Sequence, residues 1–165
     1  MKNINTLFLS FFVVSSFLFM LIASDDSEGN ARDKFDEGDA NTKYSFYEGL
    51  IAEVGTVQIK SQRMYECNYC KDAAYELKSR CEKILKSIRA ANPIGMGGAE
   101  FKRYAIEFTQ RSLDLADDVI NDRDYINSLY QVVEAEDKLV DYSATYAREN
   151  NIEVRGYIDI NKLDD

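Results

Sequence analysis

The side chains whose type and spacing can do chemistry in this chain are three cysteines, Cys67, Cys70 and Cys81. The first two lie in the stretch YECNYCK, Tyr65 to Lys71. A Cys-x-x-Cys pair suits four roles: a redox couple, half a metal site, a haem attachment point or a disulfide staple. Haem attachment requires His directly after the second cysteine. Here Lys71 follows, and the chain contains no His to serve as an axial ligand. A zinc site of three thiolates lacks a fourth ligand, and the cysteine spacing does not converge on one point. No metal and no cofactor are expected.

The absence of His excludes more. It removes Ser-His-Asp and Cys-His nucleophile systems, the Glu-x-x-His signature of di-iron bundles and ordinary zinc hydrolase sites. Carboxylate pairs such as Asp117 and Asp118 read as the solvated face of an acidic helix. Asp33, Asp36 and Asp39 recur every third residue, whereas a calcium loop needs alternate positions. The loop NPIGMGG, Asn92 to Gly98, runs into Ala99-Glu100-Phe101 and lacks the Gly-Lys-Ser/Thr of a phosphate cradle. The expectation is a protein without catalytic machinery, Cys67 and Cys70 being the one enzymatic candidate. There are eleven tyrosines and no Trp. Tyrosine gives rigid amphipathic contact area, so Tyr65, Tyr69 and Tyr75 are candidates for an interface.

The formal net charge is -9. Such a surface repels phosphate backbones, so no nucleic-acid partner is expected, and it steers a basic protein partner towards itself.

These residues must be positioned by the elements around them. Leu7 to Ala23 is an uncharged run, with Lys2 before it and Asp25-Asp26 after it. Residues 1–24 therefore read as a signal peptide or a signal anchor. The run is long for a signal core of ~7–15 residues and just reaches the ~17–25 of a spanning helix. Either reading exports the chain to the periplasm or the cell exterior. Residues 25–41 are rich in acids and poor in apolar side chains, and they read as a disordered acidic linker. Residues 42–150 read as a helical bundle domain. Between Thr56 and Asn92, and between Ala99 and Asn150, there is neither Gly nor Pro, and Pro93 marks the loop between the two halves.

The fold class predicted is all-α: an antiparallel bundle of about four helices, or one long helical hairpin. The bundle buries more surface for a chain of this size. Its helices are predicted at 43–64, 68–91, 99–120 and 123–149. Phe46, Leu50, Val54, Val57 and Met64 form one apolar stripe. The β-branched stretch Val54 to Ile59 also admits a short strand. Phe101, Ala105, Phe108, Leu115, Val119, Ile126, Leu129, Val133, Val140 and Ala147 form another stripe, interrupted by Ser112 and Asp122. Residues 151–165 read as an extended tail, with strand-like alternation over 152–160.

On the second helix, Cys67, Ala74, Cys81 and Ile88 recur every seven residues, and Cys70, Leu77 and Ile84 recur with them. That places all three cysteines on an inward-facing seam. Cys70 and Cys81 are about 16 Å apart along a helix, too far for a bond that needs Cα atoms within ~7 Å. Cys67 and Cys70 can bond only if the helix starts there, and an oxidising compartment favours that bond. Cys81 is left as a free thiol or one that bonds another chain. The function expected is that of an exported, non-enzymatic protein-binding accessory, adaptor or inhibitor. One alternative is a thiol–disulfide redox protein using Cys67 and Cys70. The other is a single-pass, membrane-anchored subunit of an envelope complex.

Overall fold

The computed structural model describes residues 43–152. It is an all-α, four-helix bundle: α1 Lys43–Glu66, α2 Lys71–Ala90, α3 Gly98–Ile120 and α4 Ile126–Glu149. Sequential helices pack side by side, and α1 also touches α3. Cross-helix partners show that the neighbours are antiparallel. Lys60 meets Glu76 while Glu53, a turn or two earlier, meets Arg80 and Ser87. Lys78 likewise pairs with Asp117, and Arg89 with Gln110. The bundle replaces the long-hairpin alternative. Val54 to Ile59 is interior helix, so it offers no strand for the tail to pair with. The signal segment 1–24, the linker 25–41 and the tail beyond Ile152 lie outside the described residues.

Helical periodicity accounts for the core. Phe46, Leu50, Val54, Val57 and Met64 of α1 are all buried, as are Ala74, Leu77, Cys81, Ile84 and Ile88 of α2. Ser112, predicted to interrupt the α3 stripe, is fully buried, and its Oγ donates to the Phe108 carbonyl at 3.0 Å. Returning the hydroxyl to its own helix lets a polar residue sit in an apolar seam. On α4 the stripe has a different phase from the one predicted. Leu129, Val132, Ala135, Leu139, Tyr146 and Ala147 face the core, Val133 and Val140 are half-buried, and Ile126 is exposed.

Three helices end in the same way. After α1, Tyr69 N–H reaches back to the Met64 carbonyl at 2.7 Å and Asn68 N–H to Tyr65 at 2.9 Å. Asp122 and Arg123 repeat the pattern after α3, and Asn151 and Ile152 repeat it after α4. These are Schellman closures, which need a left-handed residue just past the helix end. Asn68, Asp122 and Asn151, with φ of 55°, 53° and 56°, fill that role in place of glycine. Asn and Asp are the residues that tolerate it best after Gly. Arg123 also pairs with Asp118 at 2.9 Å, so an ion pair spans the closure of α3.

The loop between α2 and α3 closes the other end of the bundle. Asn150, buried at the end of α4, accepts from Met96 N–H and donates to the Met96 and Tyr146 carbonyls at 3.0, 3.0 and 2.8 Å. Gly95 and Gly97 have φ of 78° and 73°, and a Cβ on either would lie 2.3 Å from Asn150 Oδ1 or 2.4 Å from the Tyr142 hydroxyl. Only glycine permits this approach. Asn150→Ala removes three hydrogen bonds at a buried site and should lower the free energy of unfolding by about 2–3 kcal/mol. Urea titration at constant m-value measures this; a loss below about 0.5 kcal/mol would mean that Asn150 does not hold the loop.

Candidate functional site

The cysteine pair sits at the end of the bundle opposite Asn150, in the turn from α1 to α2. Cys67 is the residue that caps the C-terminus of α1, and Cys70 is the N-cap of α2. They are joined in a disulfide with Cα atoms 5.6 Å apart. The helix therefore restarts after Cys70, which allows the pair to close. The inward seam ends there too. Cys67 is exposed and Cys70 half-buried, so the prediction that both face the core is corrected. The seven-residue repeat is real from Ala74 onward, but it was extended through a break, where helical phase has no meaning.

The electrostatics of the two sulfurs differ. Cys70 occupies the N-cap with no side-chain cap bond, next to the unsatisfied N–H groups that open α2. The first turn of a helix is, in general, a position where free N–H groups and the helix dipole favour a thiolate. Cys67 Sγ accepts the Cys70 N–H at 3.3 Å. It also lies 3.3 Å from the Met64 carbonyl oxygen, a contact that holds no proton while the disulfide is closed.

Between the cysteines, Asn68 and Tyr69 are both left-handed, the latter at φ 58°. For a bulky aromatic residue this is strained backbone. Packing holds it. The Tyr69 ring lies 4.4 Å from that of Tyr125, in the α3–α4 loop, and meets Tyr65 edge-on at 6.0 Å. Burial raises the Tyr69 phenol above its ordinary value, with Tyr125 and then Tyr65 adding to the rise. Lys71 pairs with Asp122 at 2.5 Å and ties the same two loops together. Of the predicted interface tyrosines, Tyr65 and Tyr69 thus flank the disulfide as half-buried rings. Tyr75 stands apart on α2, 56 % exposed. Tyr125, which sequence reasoning missed, completes the site. The gap between the predicted helices 99–120 and 123–149 was the available signal, because an up-down bundle brings that loop to the same end as Cys67–Cys70.

Cys81 is the opposite case. It is fully buried in the core, and burial pushes its thiol up to about 12. Of the two roles predicted for it, this placement fits the free thiol and not a bond to another chain. Among the described residues, no group of three or more His, Cys, Asp or Glu side chains is placed to hold a metal ion. No protein-family model, curated protein or solved structure matches the chain.

The difference between these sulfurs has a measurable consequence. After reduction, a maleimide should modify Cys67 and Cys70 in the folded protein and reach Cys81 only in denaturant. The stability of the fold should also depend on Cys81 at alkaline pH. Its thiol ionises near 9.0 when unfolded and about 12 when folded, so its contribution is present below 9.0 and is lost as pH rises towards 12. The stability advantage of the native chain over Cys81→Ala should therefore shrink from pH 9.0 upwards, as read from urea unfolding across pH. A constant difference would contradict the burial of this thiol.

Proposed function

We propose that this domain is a thiol–disulfide exchange protein working through Cys67 and Cys70. One observation carries the reading: an exposed cysteine is bonded to the N-cap cysteine of a helix. A substrate thiolate attacks Cys67 Sγ, the Cys67–Cys70 bond breaks, and Cys70 leaves as a thiolate at the start of α2. This gives a mixed disulfide between Cys67 and the substrate. A second substrate thiolate attacks the substrate sulfur of that bond and releases Cys67 as a thiolate. Two substrate thiols lose two electrons and form a disulfide; the pair gains the electrons and takes up protons as a dithiol. Stabilisation of the released thiolates makes such a pair oxidising.

The bland alternative is a structural staple. A bond between residues three apart closes a very small loop, worth about 2 kcal/mol by chain entropy. The turn is already fixed by the Schellman closure and the Lys71–Asp122 pair. The disulfide is therefore not the sole constraint on the turn, although its contribution exceeds that of an exposed ion pair.

Export remains part of the proposal, supported by the Leu7–Ala23 run and by the oxidising setting a disulfide requires. The membrane-anchored alternative is not carried forward: among the described residues no helix is long and apolar enough to cross a membrane, and the run 7–23 on which it rested lies outside them. The non-enzymatic binding role is a weaker second reading. It draws support from exposed Tyr75 and Tyr130, yet single exposed aromatics are common on any surface.

Equilibration against glutathione buffers, with thiol trapping, tests the proposal. The potential of the pair should fall between about −120 and −270 mV, the range of thiol–disulfide exchange proteins. A value below about −300 mV would mark the bond as structural. In Cys70→Ser, Cys67 should accumulate a mixed disulfide that the native pair resolves.

A further inference from the structure

We propose that the substrate of the pair is a cysteine held in a basic polypeptide segment, not a small anionic thiol; this rests on the exchange reading above. The attacking species is an anion, and the surface it must approach is acidic. Glu66 adjoins Cys67, Asp72 lies in the first turn of α2, and Asp124 adjoins Tyr125. All three are exposed, and none pairs with a cation among the described residues. Glu66 accepts only from Gln62, and Asp124 from the Ile126 N–H. The nearby cations are largely committed: Lys71 to Asp122 and Arg123 to Asp118. Arg63, a turn before Cys67, is exposed and acts on Glu76 across the α1–α2 face.

The described residues 43–152 hold 15 Lys and Arg against 18 Asp and Glu, a net charge of -3, so the field beyond the site has the same sign. A lone thiolate, or a tripeptide thiol with its own carboxylates, is repelled. A thiolate flanked by Lys or Arg carries its own compensation and is drawn in. The Tyr69–Tyr125 rings beside the disulfide offer apolar surface to the side chains next to the substrate cysteine. A polypeptide can use that surface; a small thiol has little to place on it.

The test follows reduction of the oxidised protein by three single-cysteine peptides of equal length, cationic, neutral and anionic, and by glutathione. Each rate is divided by the same thiol's rate with the neutral disulfide 4,4′-dithiodipyridine, which removes differences in thiol pKa. Dithiothreitol is the control for exchange itself. The cationic peptide should react about tenfold faster than the anionic peptide and glutathione at low salt, with the gap closing in about 0.5 M salt. The gap should also close in the isosteric variant Glu66→Gln/Asp72→Asn/Asp124→Asn, which keeps the acceptor for Ile126 N–H. Equal normalised rates, or a cationic preference insensitive to salt and to the variant, with dithiothreitol reducing the bond normally, would overturn the substrate class and leave the exchange reading standing. Failure of dithiothreitol and every peptide to reduce the folded protein would overturn both.

Discussion

Tyr146 holds the bundle together at one end. Its ring, fully buried, stacks on Phe101 at 4.9 Å and on Tyr47 at 6.1 Å and meets Phe46 edge-on at 6.0 Å. Its hydroxyl donates to the Ile94 carbonyl at 2.6 Å. One side chain of α4 thereby fixes α1, α3 and the loop that joins α2 to α3. A buried phenol needs that partner. Burial without it would cost on the order of 1–3 kcal/mol. The glycines of the loop exist to let the backbone come this close, and Lys102 completes the closure by donating to the Arg89 and Ala91 carbonyls at the end of α2.

The two ends of the bundle are built on different terms. At the Tyr146 end, a buried aromatic cluster and buried hydrogen bonds define the geometry. At the cysteine end, the contacts are ion pairs between exposed side chains, half-buried rings and a left-handed turn. Exposed ion pairs contribute roughly 0–1 kcal/mol each. A strained turn persists only because the surrounding structure over-determines it. The stable end supplies the anchorage that allows the other end to hold an exposed sulfur and three residues at positive φ. Buried packing and the exposed disulfide are thus separated along the bundle axis.

Much of this was legible in the sequence. The helix count, the central loop and the α1 and α2 stripes follow from periodicity and from where Gly and Pro occur. The phase of α4 was not, because Val132-Val133 and Leu139-Val140 are apolar doublets in which either member can face inward. Tyr146 decides between them, and a tyrosine reads as a surface residue until its hydroxyl has a partner. That partner, a backbone carbonyl in a distant loop, leaves no mark on local sequence. Distance along the helix excluded Cys70–Cys81, but the pairing of Cys67 with Cys70 was legible only on the condition that the helix starts there, and their exposure was not legible. Exposure depends on where α1 stops, and Asn68 stops it by adopting a conformation that Asn tolerates but does not require. Tyr125 was missed for a similar reason, since its contact with Tyr69 exists only once the two loops share an end.

α2 itself shows why the cysteines divide as they do. Cys70 stands at its open N-terminal end, while Cys81 in its middle is fully buried in the core. The same element therefore leaves one cysteine accessible at its start and suppresses ionisation of the other by burial. Distance makes the separation complete. At about 1.5 Å per residue the helix keeps Cys81 about 16 Å from Cys70, beyond the ~7 Å a disulfide spans. A reducible disulfide beside a third cysteine risks a wrong bridge. Here the rigid helix prevents it without any further device, because Cys81 can reach the pair only if α2 unfolds.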